Sequence, residues 1–207
     1  MVIVLIFIAY LLGSIPTSVW IGKSFYNIDV REFGSGNAGA TNTFRVLGKK
    51  AGIPVLIIDI LKGTSAVALS FMSGFHPETA GFVELQLALG IAALIGHIFP
   101  IFAGFRGGKG VATILGIVIC IVPAACALSL LVFLIVLFSS RIVSLSSMLA
   151  GVSFPFFLNV VLANHNQILT VFSFVVSILL IITHRKNIKR LLKNQESRVQ
   201  LFAAKNK

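Results

Sequence analysis

The chain has 207 residues, of which 57% are hydrophobic and 11% charged, whereas soluble domains carry about 25% charged residues. With a mean hydropathy of +1.01, this composition excludes a soluble globule and predicts an all-α membrane protein with several spans. The net charge of +11 indicates cytoplasmic loops rather than nucleic-acid binding, because Lys and Arg collect in such loops.

Six apolar blocks, one of them long enough to cross twice, predict seven transmembrane helices, some short or tilted, in one domain over residues 1–207. The first block starts at Met1 without a basic leader or a small-residue cleavage site, which indicates a retained span rather than a signal peptide. The predicted spans are residues 2–21, 53–75, 82–103, 111–122, 124–139, 142–163 and 168–183, followed by a basic tail of residues 184–207.

The apolar stretch 111–139 is long enough for one tilted helix or for two short helices that meet near Pro123. The positions of Lys and Arg choose between these options, because these residues mark the cytoplasmic side. If the stretch 111–139 crosses the membrane twice, 16 of the 17 Lys and Arg residues lie on one side, in the loops 22–52 and 104–110, at Arg141 and in the tail. If it crosses once, Arg141 and the tail lie on the opposite side from the two loops. The sequence therefore predicts seven crossings, with the N-terminus outside and the C-terminus in the cytoplasm.

The first cytoplasmic loop contains a stretch of small and polar residues, Gly34 to Arg45, that suits close approach of the backbone to a ligand. Its glycines free the backbone to turn N–H groups toward an anion, and the polar side chains add donors. The stretch formally matches a dinucleotide fingerprint, but that fingerprint follows a strand, and here both flanks are predicted spans. A flexible linker is the alternative. A loop of about 30 residues is long for a plain connection, which favours a ligand loop.

The second cytoplasmic loop, residues 104–110, places glycines and two cations, Arg106 and Lys109, directly before an apolar helix. Exposed N–H groups, the positive end of the helix dipole and the two charges all favour a phosphate there. The spacing is not that of a Walker A loop, so nucleotide hydrolysis is not indicated. An ordinary cytoplasmic loop without a ligand is the alternative.

Two further patches of polar residues lie on the predicted cytoplasmic side. Ser144 lies with Ser146 and Ser147 at the start of the sixth predicted span, where a serine can also simply cap the helix. His184 and Asn187, three residues apart, are expected to share one helix face after the last span. The cations around them are expected to contact lipid headgroups.

Three ionisable residues within the predicted spans have two interpretations each. Asp59 and Lys62 are functional candidates because charges in the bilayer are expensive, but a pair three residues apart can also neutralise itself and serve only the fold. His97, near the cytoplasmic end of the third span, is either a hydrogen-bonding group between helices or part of the site. The sequence leaves these interpretations open.

The motifs GSGNAGATNTFR, GHIFPIFAGFRGGKGVAT and HRKNIKRL follow one another along nearly the whole chain. Together they resemble the bacterial acyl-phosphate glycerol-3-phosphate acyltransferase family, the PlsY type. The resemblance implies a seven-span enzyme of the bacterial inner membrane that moves an acyl chain from acyl phosphate to the 1-hydroxyl of glycerol 3-phosphate, forming lysophosphatidic acid. The sequence departs from the family at Arg106, where the family usually has Lys. This change keeps the charge but alters the geometry of a phosphate contact.

The loop chemistry and the resemblance give one set of candidate site residues. Ser35, His184 and Asn187 are the expected catalytic residues. The residues expected to bind substrate or phosphate are Gly36, Asn37, Thr41, Asn42, Arg45, His97, Arg106, Gly107, Gly108, Lys109 and Ser144. No metal or cofactor is expected, since the sequence has no acidic or His cluster suited to a metal. The expected partners are glycerol 3-phosphate, acyl phosphate and membrane lipids, without nucleic acid, and the expected state is a monomer.

Direct acyl transfer without an acyl-enzyme is expected, because the sequence has neither a His-x4-Asp arrangement nor a Gly-x-Ser-x-Gly elbow. A substrate phosphate oxygen or His184 would accept the proton. The competing classes are a transporter or channel for an organic anion and a non-catalytic subunit that binds anionic lipid. Transporter sites lie near the membrane midplane between repeated halves. The motifs here gather at one boundary without an internal repeat, which favours the enzyme.

Overall fold

The computed structural model describes residues 1–77 and 79–200, which form helices and helical turns without a strand. The helices are α1 Val2–Gly13, α2 Thr17–Tyr26, α3 Ala40–Leu47, α4 Lys49–Ala68, α5 Ala80–Ile98, α6 Val111–Ile121, α7 Pro123–Ser140, α8 Val143–Phe156, α9 Gln167–Thr183 and α10 Arg185–Leu192. Single 3-10 turns lie at Val30–Glu32, Leu69–Met72 and Ile101–Ala103, and a π-turn lies at Phe157–Val161. The predicted all-helical class is confirmed.

Among the described residues, four helices are long and apolar enough to cross a membrane, or up to six if each of two bent pairs is one span. The four are Lys49–Met72, Ala80–Ala103, Pro123–Ser140 and Val143–Val161. α6 has 11 residues, fewer than the roughly 20 that span a bilayer. The multi-pass architecture therefore stands, and the count of seven crossings stays a prediction.

The break predicted near Pro123 is confirmed. α6 ends at Ile121, and α7 begins at Pro123 after the single residue Val122. Proline lacks a backbone N–H and has a φ fixed near the helical value, so it suits the first position of a new helix and ends the one before it.

The first predicted span, residues 2–21, is a bent pair of helices rather than one helix. α1 ends at Gly13, α2 begins at Thr17, and their axes differ by 41°. Pro16 cannot donate the backbone hydrogen bond that would continue α1, so the chain starts a second helix instead. The break leaves backbone carbonyls of the linker within the apolar part of the sequence.

Contacts between helices divide the chain into two compact units, Met1–Pro123 and Ala124–Lys207. In the first unit, α1 packs on α5 around a core of Leu5, Ala9, Ala66, Leu85, Leu89, Ala92 and Ala93. Helices in lipid associate through small residues that let their backbones approach. The prediction of a single domain over the whole chain stays a prediction.

Two glycines fix α6 against α4 in the first unit. A Cβ atom at Gly63 of α4 would collide with the carbonyl oxygen of Thr113, and a Cβ at Gly116 of α6 would collide with the carbonyl oxygen of Ile60. The two backbones are therefore in direct contact, and larger side chains at these positions would push them apart. The start of α6, which follows the second motif loop, is thereby held at a fixed place on α4.

In the second unit, α8 and α9 form a helical hairpin, and an asparagine at the end of the connecting loop caps α9. Asn166 caps α9, and its Oδ1 accepts hydrogen bonds from the backbone N–H groups of Ile168 at 2.9 Å and Leu169 at 3.1 Å. At the other end of α9 the chain bends by 58° into α10. His184 lies at this bend, between the two helices.

Candidate functional site

Asn42 holds the first motif loop in shape. Its side chain is 1% exposed, and Nδ2 donates hydrogen bonds to the carbonyl oxygens of Val30 at 2.8 Å and Phe33 at 3.1 Å. Its Oδ1 accepts from the backbone N–H of Ser35 at 2.8 Å and from the Ser35 hydroxyl at 3.1 Å. A Cβ at Gly34, where φ is +61°, would collide with that oxygen. The Asn42 amide therefore fixes the position of Ser35.

The remaining polar residues of the first motif lie at the surface of this loop and of α3. Thr41 and Arg45 are exposed and lie four residues apart, on one face of the helix. The Arg45 side chain runs past the loop, since a Cβ at Gly34 would lie 3.4 Å from Arg45 Cδ. Gly36 is exposed, and Asn37 is half-buried. The structure thus brings a hydroxyl, Ser35, and a guanidinium-bearing side chain, Arg45, to one loop.

The second motif loop docks on the end of α5 through its glycines. The N–H of Gly107 donates to the carbonyl of Ile98 at 3.1 Å, and the N–H of Gly108 donates to the carbonyl of His97 at 3.1 Å. These carbonyls lie at the C-terminus of α5 and lack partners within the helix. A Cβ at Gly107 would collide with the His97 carbonyl oxygen. Both N–H groups are therefore used inside the protein, which corrects the expectation that they face an anion.

The anion-binding features that remain in the second loop lie just after its docked part. Lys109 is half-buried, Gly110 has a φ of +84°, and α6 starts at Val111 without a side-chain cap among the described residues. The first intrahelical bond runs from Ile114 N to Gly110 O at 2.7 Å. The N–H groups of the first turn of a helix have no intrahelical acceptor and favour a negative charge. The side chain of Arg106 is exposed.

Arg31 joins the two motif loops, a role that the sequence did not reveal. Its Nη1 donates to the carbonyl oxygens of Ala103 at 2.8 Å and Arg106 at 3.3 Å. Its Nε and Nη2 donate to the two carboxylate oxygens of Asp29 at 2.9 and 2.7 Å. The hydrogen bonds from Arg31 hold the pKa of Asp29 well below its usual range. The only signal in the sequence was an Asp and an Arg two residues apart in a functional loop.

A buried polar network lies behind the second loop. Asp59 Oδ1 accepts from Lys62 Nζ at 3.0 Å and from the Thr17 hydroxyl at 3.2 Å. His97 Nδ1 lies 3.1 Å from the Thr113 hydroxyl and 3.9 Å from the same Asp59 oxygen. All five side chains are buried. His97 thus lies between helices, as one interpretation of the sequence expected, and also against the candidate site.

In the second unit, three side chains converge on one carboxylate that the sequence did not single out, Glu196. Its Oε1 accepts from the Ser144 hydroxyl at 3.0 Å and from Asn187 Nδ2 at 2.6 Å, and its Oε2 accepts from Arg190 Nε at 2.6 Å. Helix α8 has no side-chain cap, so the alternative in which Ser144 merely caps the helix is wrong. The signal was an acid within an otherwise basic tail.

Replacing Glu196 by Gln is expected to lower the melting temperature by about 5 °C, the scale of one lost charge-assisted contact. Burial alone would raise the pKa of Glu196, but the hydrogen bonds from Arg190, Asn187 and Ser144 bring this pKa below its usual value. The stabilisation is therefore present above the ordinary carboxyl value of about 4.3 and is lost as the pH falls below it. Melting of the Gln variant should depend less on pH over that acid range, and equal profiles would contradict the contact.

His184 has its ring orientation fixed by the end of α9. Its side chain is 2% exposed, and Nδ1 lies 2.7 Å from the carbonyl oxygen of Leu180. A carbonyl only accepts, so Nδ1 carries the hydrogen and Nε2 of the neutral ring holds the lone pair. Asn187 N donates to the His184 carbonyl at 2.8 Å. Ser144, His184 and Asn187 belong to the second unit, and the other candidates belong to the first.

Comparison with known proteins gives one consistent family. Residues 3–194 match the family described as glycerol-3-phosphate acyltransferase. The chain is 45% identical over 205 residues to a glycerol-3-phosphate acyltransferase of Enterococcus faecalis, covering 96% of this chain and 92% of that one. It is 44% identical over 204 residues to that of Streptococcus pneumoniae, with coverage of 95% and 92%.

Two solved structures of PlsY (YgiH), described as an integral membrane glycerol 3-phosphate acyltransferase, share the fold. The glycerol 3-phosphate form gives a TM-score of 0.86 at 38% identity, covering 96% of each chain. The lysophosphatidic acid form gives 0.82 at 37% identity, covering 96% of this chain and 95% of that one. Sequence motifs, helical membrane fold and relatives agree, and the chain belongs to the glycerol-3-phosphate acyltransferase family.

Proposed function

We propose that this acyltransferase moves an acyl group from acyl phosphate to the 1-hydroxyl of glycerol 3-phosphate, giving lysophosphatidic acid and phosphate for phospholipid synthesis. The acceptor and product are supported by the two solved relatives, which are described as glycerol 3-phosphate and lysophosphatidic acid forms. The observation that carries the donor assignment is the pair of joined motif loops. They offer two separate cations, Arg45 and Lys109, and an uncapped helix start, which suits two phosphate groups.

The proposed reaction is one direct displacement at the acyl carbon. The acceptor hydroxyl oxygen forms a bond to the carbonyl carbon, the bond from that carbon to the phosphate oxygen breaks, and phosphate leaves. The hydroxyl proton goes to a substrate phosphate oxygen or to Nε2 of His184. Acyl phosphate is already activated, so the enzyme acts chiefly by holding two phosphates and aiming the hydroxyl. Ser35 is the side-chain hydroxyl that we assign to the reacting groups.

The predicted site residues take two kinds of role in this proposal. Those that shape the loops are Asn42, Gly107 and Gly108, which hold the loop backbone through hydrogen bonds. His97 lies beneath them. Those that we assign to substrate are Ser35, Gly36, Asn37, Thr41, Arg45, Arg106, Lys109, Ser144, His184 and Asn187.

The proposed placement in the cell follows from the charges. We infer seven crossings of the bacterial inner membrane in a monomeric, single-domain enzyme, with the N-terminus outside and the basic tail in the cytoplasm. The support is the Lys and Arg bias of the loops that carry the motifs. Membrane lipids surround the protein, and an acyl donor can reach a site at the boundary sideways from the bilayer.

The donor is tested with purified protein in detergent, glycerol 3-phosphate and either palmitoyl phosphate or palmitoyl-CoA, with lysophosphatidic acid read by mass spectrometry. Product from palmitoyl phosphate alone is the expected result. Product from palmitoyl-CoA alone would overturn the donor assignment. Product from neither, in folded protein, would overturn the proposed reaction for both donors.

The link between the motif loops makes Arg31 important although it need not touch substrate. Arg31→Gln is expected to lower kcat/KM at least about 10-fold, since a misplacement of about 1 Å can cost 100-fold. Lys23→Gln is the matched control, because Lys23 pairs with the same Asp29 at 3.5 Å from a side chain that is 59% exposed, and such pairs contribute little. Equal steady-state kinetics of the two variants would contradict the role of Arg31.

A further inference from the structure

The buried pair Asp59 and Lys62 has a role beyond neutralising itself. We propose that Asp59 is a positioning residue for the acyl transfer, acting through the ring of His97 on the loop that carries Lys109. This inference rests on the proposed function of that loop. It takes the functional one of the two interpretations that the sequence left open for the pair.

A buried ion pair costs desolvation free energy that apolar residues at the same positions would not cost. Asp59 is 2% and Lys62 is 5% exposed, within a helix that is apolar enough to span the membrane. Charges there are costly, and apolar residues of similar volume commonly replace a buried ion pair without loss of stability. Stability alone therefore does not account for a buried ion pair at this position.

The Asp59 carboxylate is held by two donors and lies near a histidine ring. Lys62 Nζ and the Thr17 hydroxyl donate to Oδ1. Lys62 Nζ also donates at 3.1 Å to the carbonyl oxygen of Ile15, in the break between α1 and α2. The same Oδ1 lies 3.9 Å from Nδ1 of His97. The carboxylate is thus fixed where its charge acts on the His97 ring.

The carboxylate sets which ring nitrogen of His97 carries the hydrogen. A negative charge on the Nδ1 side favours a hydrogen on Nδ1, and the Thr113 hydroxyl, at 3.1 Å from Nδ1, accepts it. Nε2 of the neutral ring then holds a lone pair. Asp59 thereby favours the Nδ1–H tautomer of His97 through its charge, and the hydrogen bond of that tautomer to the Thr113 hydroxyl orients the ring.

The far edge of the His97 ring lies where the two motif loops meet. A Cβ at Gly108 would collide with Nε2 of His97 and would lie 2.8 Å from the carbonyl oxygen of Ala38, in the first motif. Gly108 N also donates to the His97 carbonyl. A rotated ring would therefore displace Gly108, and Lys109 is the next residue in the chain.

The direct test combines stability with kinetics in three variants: Asp59→Asn, Lys62→Met and the double variant Asp59→Leu/Lys62→Met. The double variant leaves no unpaired buried charge, so its melting temperature should lie closer to that of the wild type than the melting temperatures of the two single variants do. Its kcat/KM should still fall at least about 10-fold, because His97 loses its partner. Wild-type kinetics in the stable double variant would show that the pair serves only the fold and would overturn the proposal.

The route through His97 is tested by a double-mutant cycle. In a His97→Ala background, Asp59→Asn should cause less than about a twofold further loss of kcat/KM, because residues that act as one unit are not additive. If Asp59→Asn lowers kcat/KM by the same factor in the His97→Ala background as in the wild type, Asp59 acts by another route. The tautomer of His97 is measured without turnover, by NMR on protein with isotope-labelled histidine. We expect the Nδ1–H form in the wild type and the Nε2–H form in Asp59→Asn, and a wild-type Nε2–H form would overturn the inference even if the enzyme uses another substrate.

Discussion

Replacing Lys109 by Ala is expected to lower acyl transfer at least about 100-fold while leaving expression intact. Lys109 is half-buried directly before the uncapped start of α6, where, in the proposed site, its charge and the N–H groups of the first turn would act on the same anion. An interaction that strengthens as charge develops on the leaving phosphate contributes to kcat as well as to binding. The measurement is kcat and KM for both substrates in detergent.

Lys50→Ala is the control for this variant. Lys50 is an exposed lysine in the first turn of α4. Its replacement removes the same charge from the same unit, but from a residue outside the second motif loop. Its kinetics should stay within about twofold of the wild type, since isolated surface charges contribute little. Near-normal turnover of the Lys109 variant would remove Lys109 from the site.

Ser35→Ala is expected to lower kcat/KM about 100-fold, the scale of one lost polar contact to the reacting groups. Asn42→Ala should cause a loss of similar size, because the Asn42 amide holds both the N–H and the hydroxyl of Ser35. The double variant should then be no worse than about twofold below either single variant, since the two residues act as one unit. Ser139→Ala, at an exposed serine near the end of α7, is the control.

Additive losses in the Ser35 and Asn42 variants would contradict this account. In that case Asn42 would act on the substrate or on the fold independently of Ser35. A Ser35→Ala variant with normal kinetics would leave the loop without its assigned hydroxyl, and Thr41, an exposed hydroxyl on the neighbouring helix, would be the next residue to replace.

The sequence predicted those features of the fold that depend on local physics. Hydropathy placed the apolar helices, and the charge bias together with Pro123 placed the break after α6, because proline removes a backbone hydrogen bond and favours a break there. Proline alone does not decide this, since α4 and α8 continue through Pro54 and Pro155. The same signal was present at Pro16, but the apolar run continued past it to Ile21. Hydropathy alone does not separate a straight span from a bent pair.

The details that the sequence could not supply depend on partners far away along the chain. Gly107 and Gly108 look like anion-binding glycines, but the open carbonyls of α5 take their N–H groups. Arg31 reaches residues more than 70 positions away, and Glu196 lies 52 positions from Ser144. Such pairings arise from tertiary packing, which no local pattern encodes.

The central claim is that the acyl group moves directly from bound acyl phosphate to bound glycerol 3-phosphate, and a single-turnover experiment tests it. Excess enzyme is mixed with palmitoyl phosphate and glycerol 3-phosphate and quenched at intervals, and lysophosphatidic acid, released phosphate and acylated protein are measured together. The account predicts that product and phosphate appear at one common rate and that no acylated protein accumulates. Phosphate released ahead of product, with a hydroxylamine-sensitive acyl-protein that then decays into lysophosphatidic acid, would contradict it.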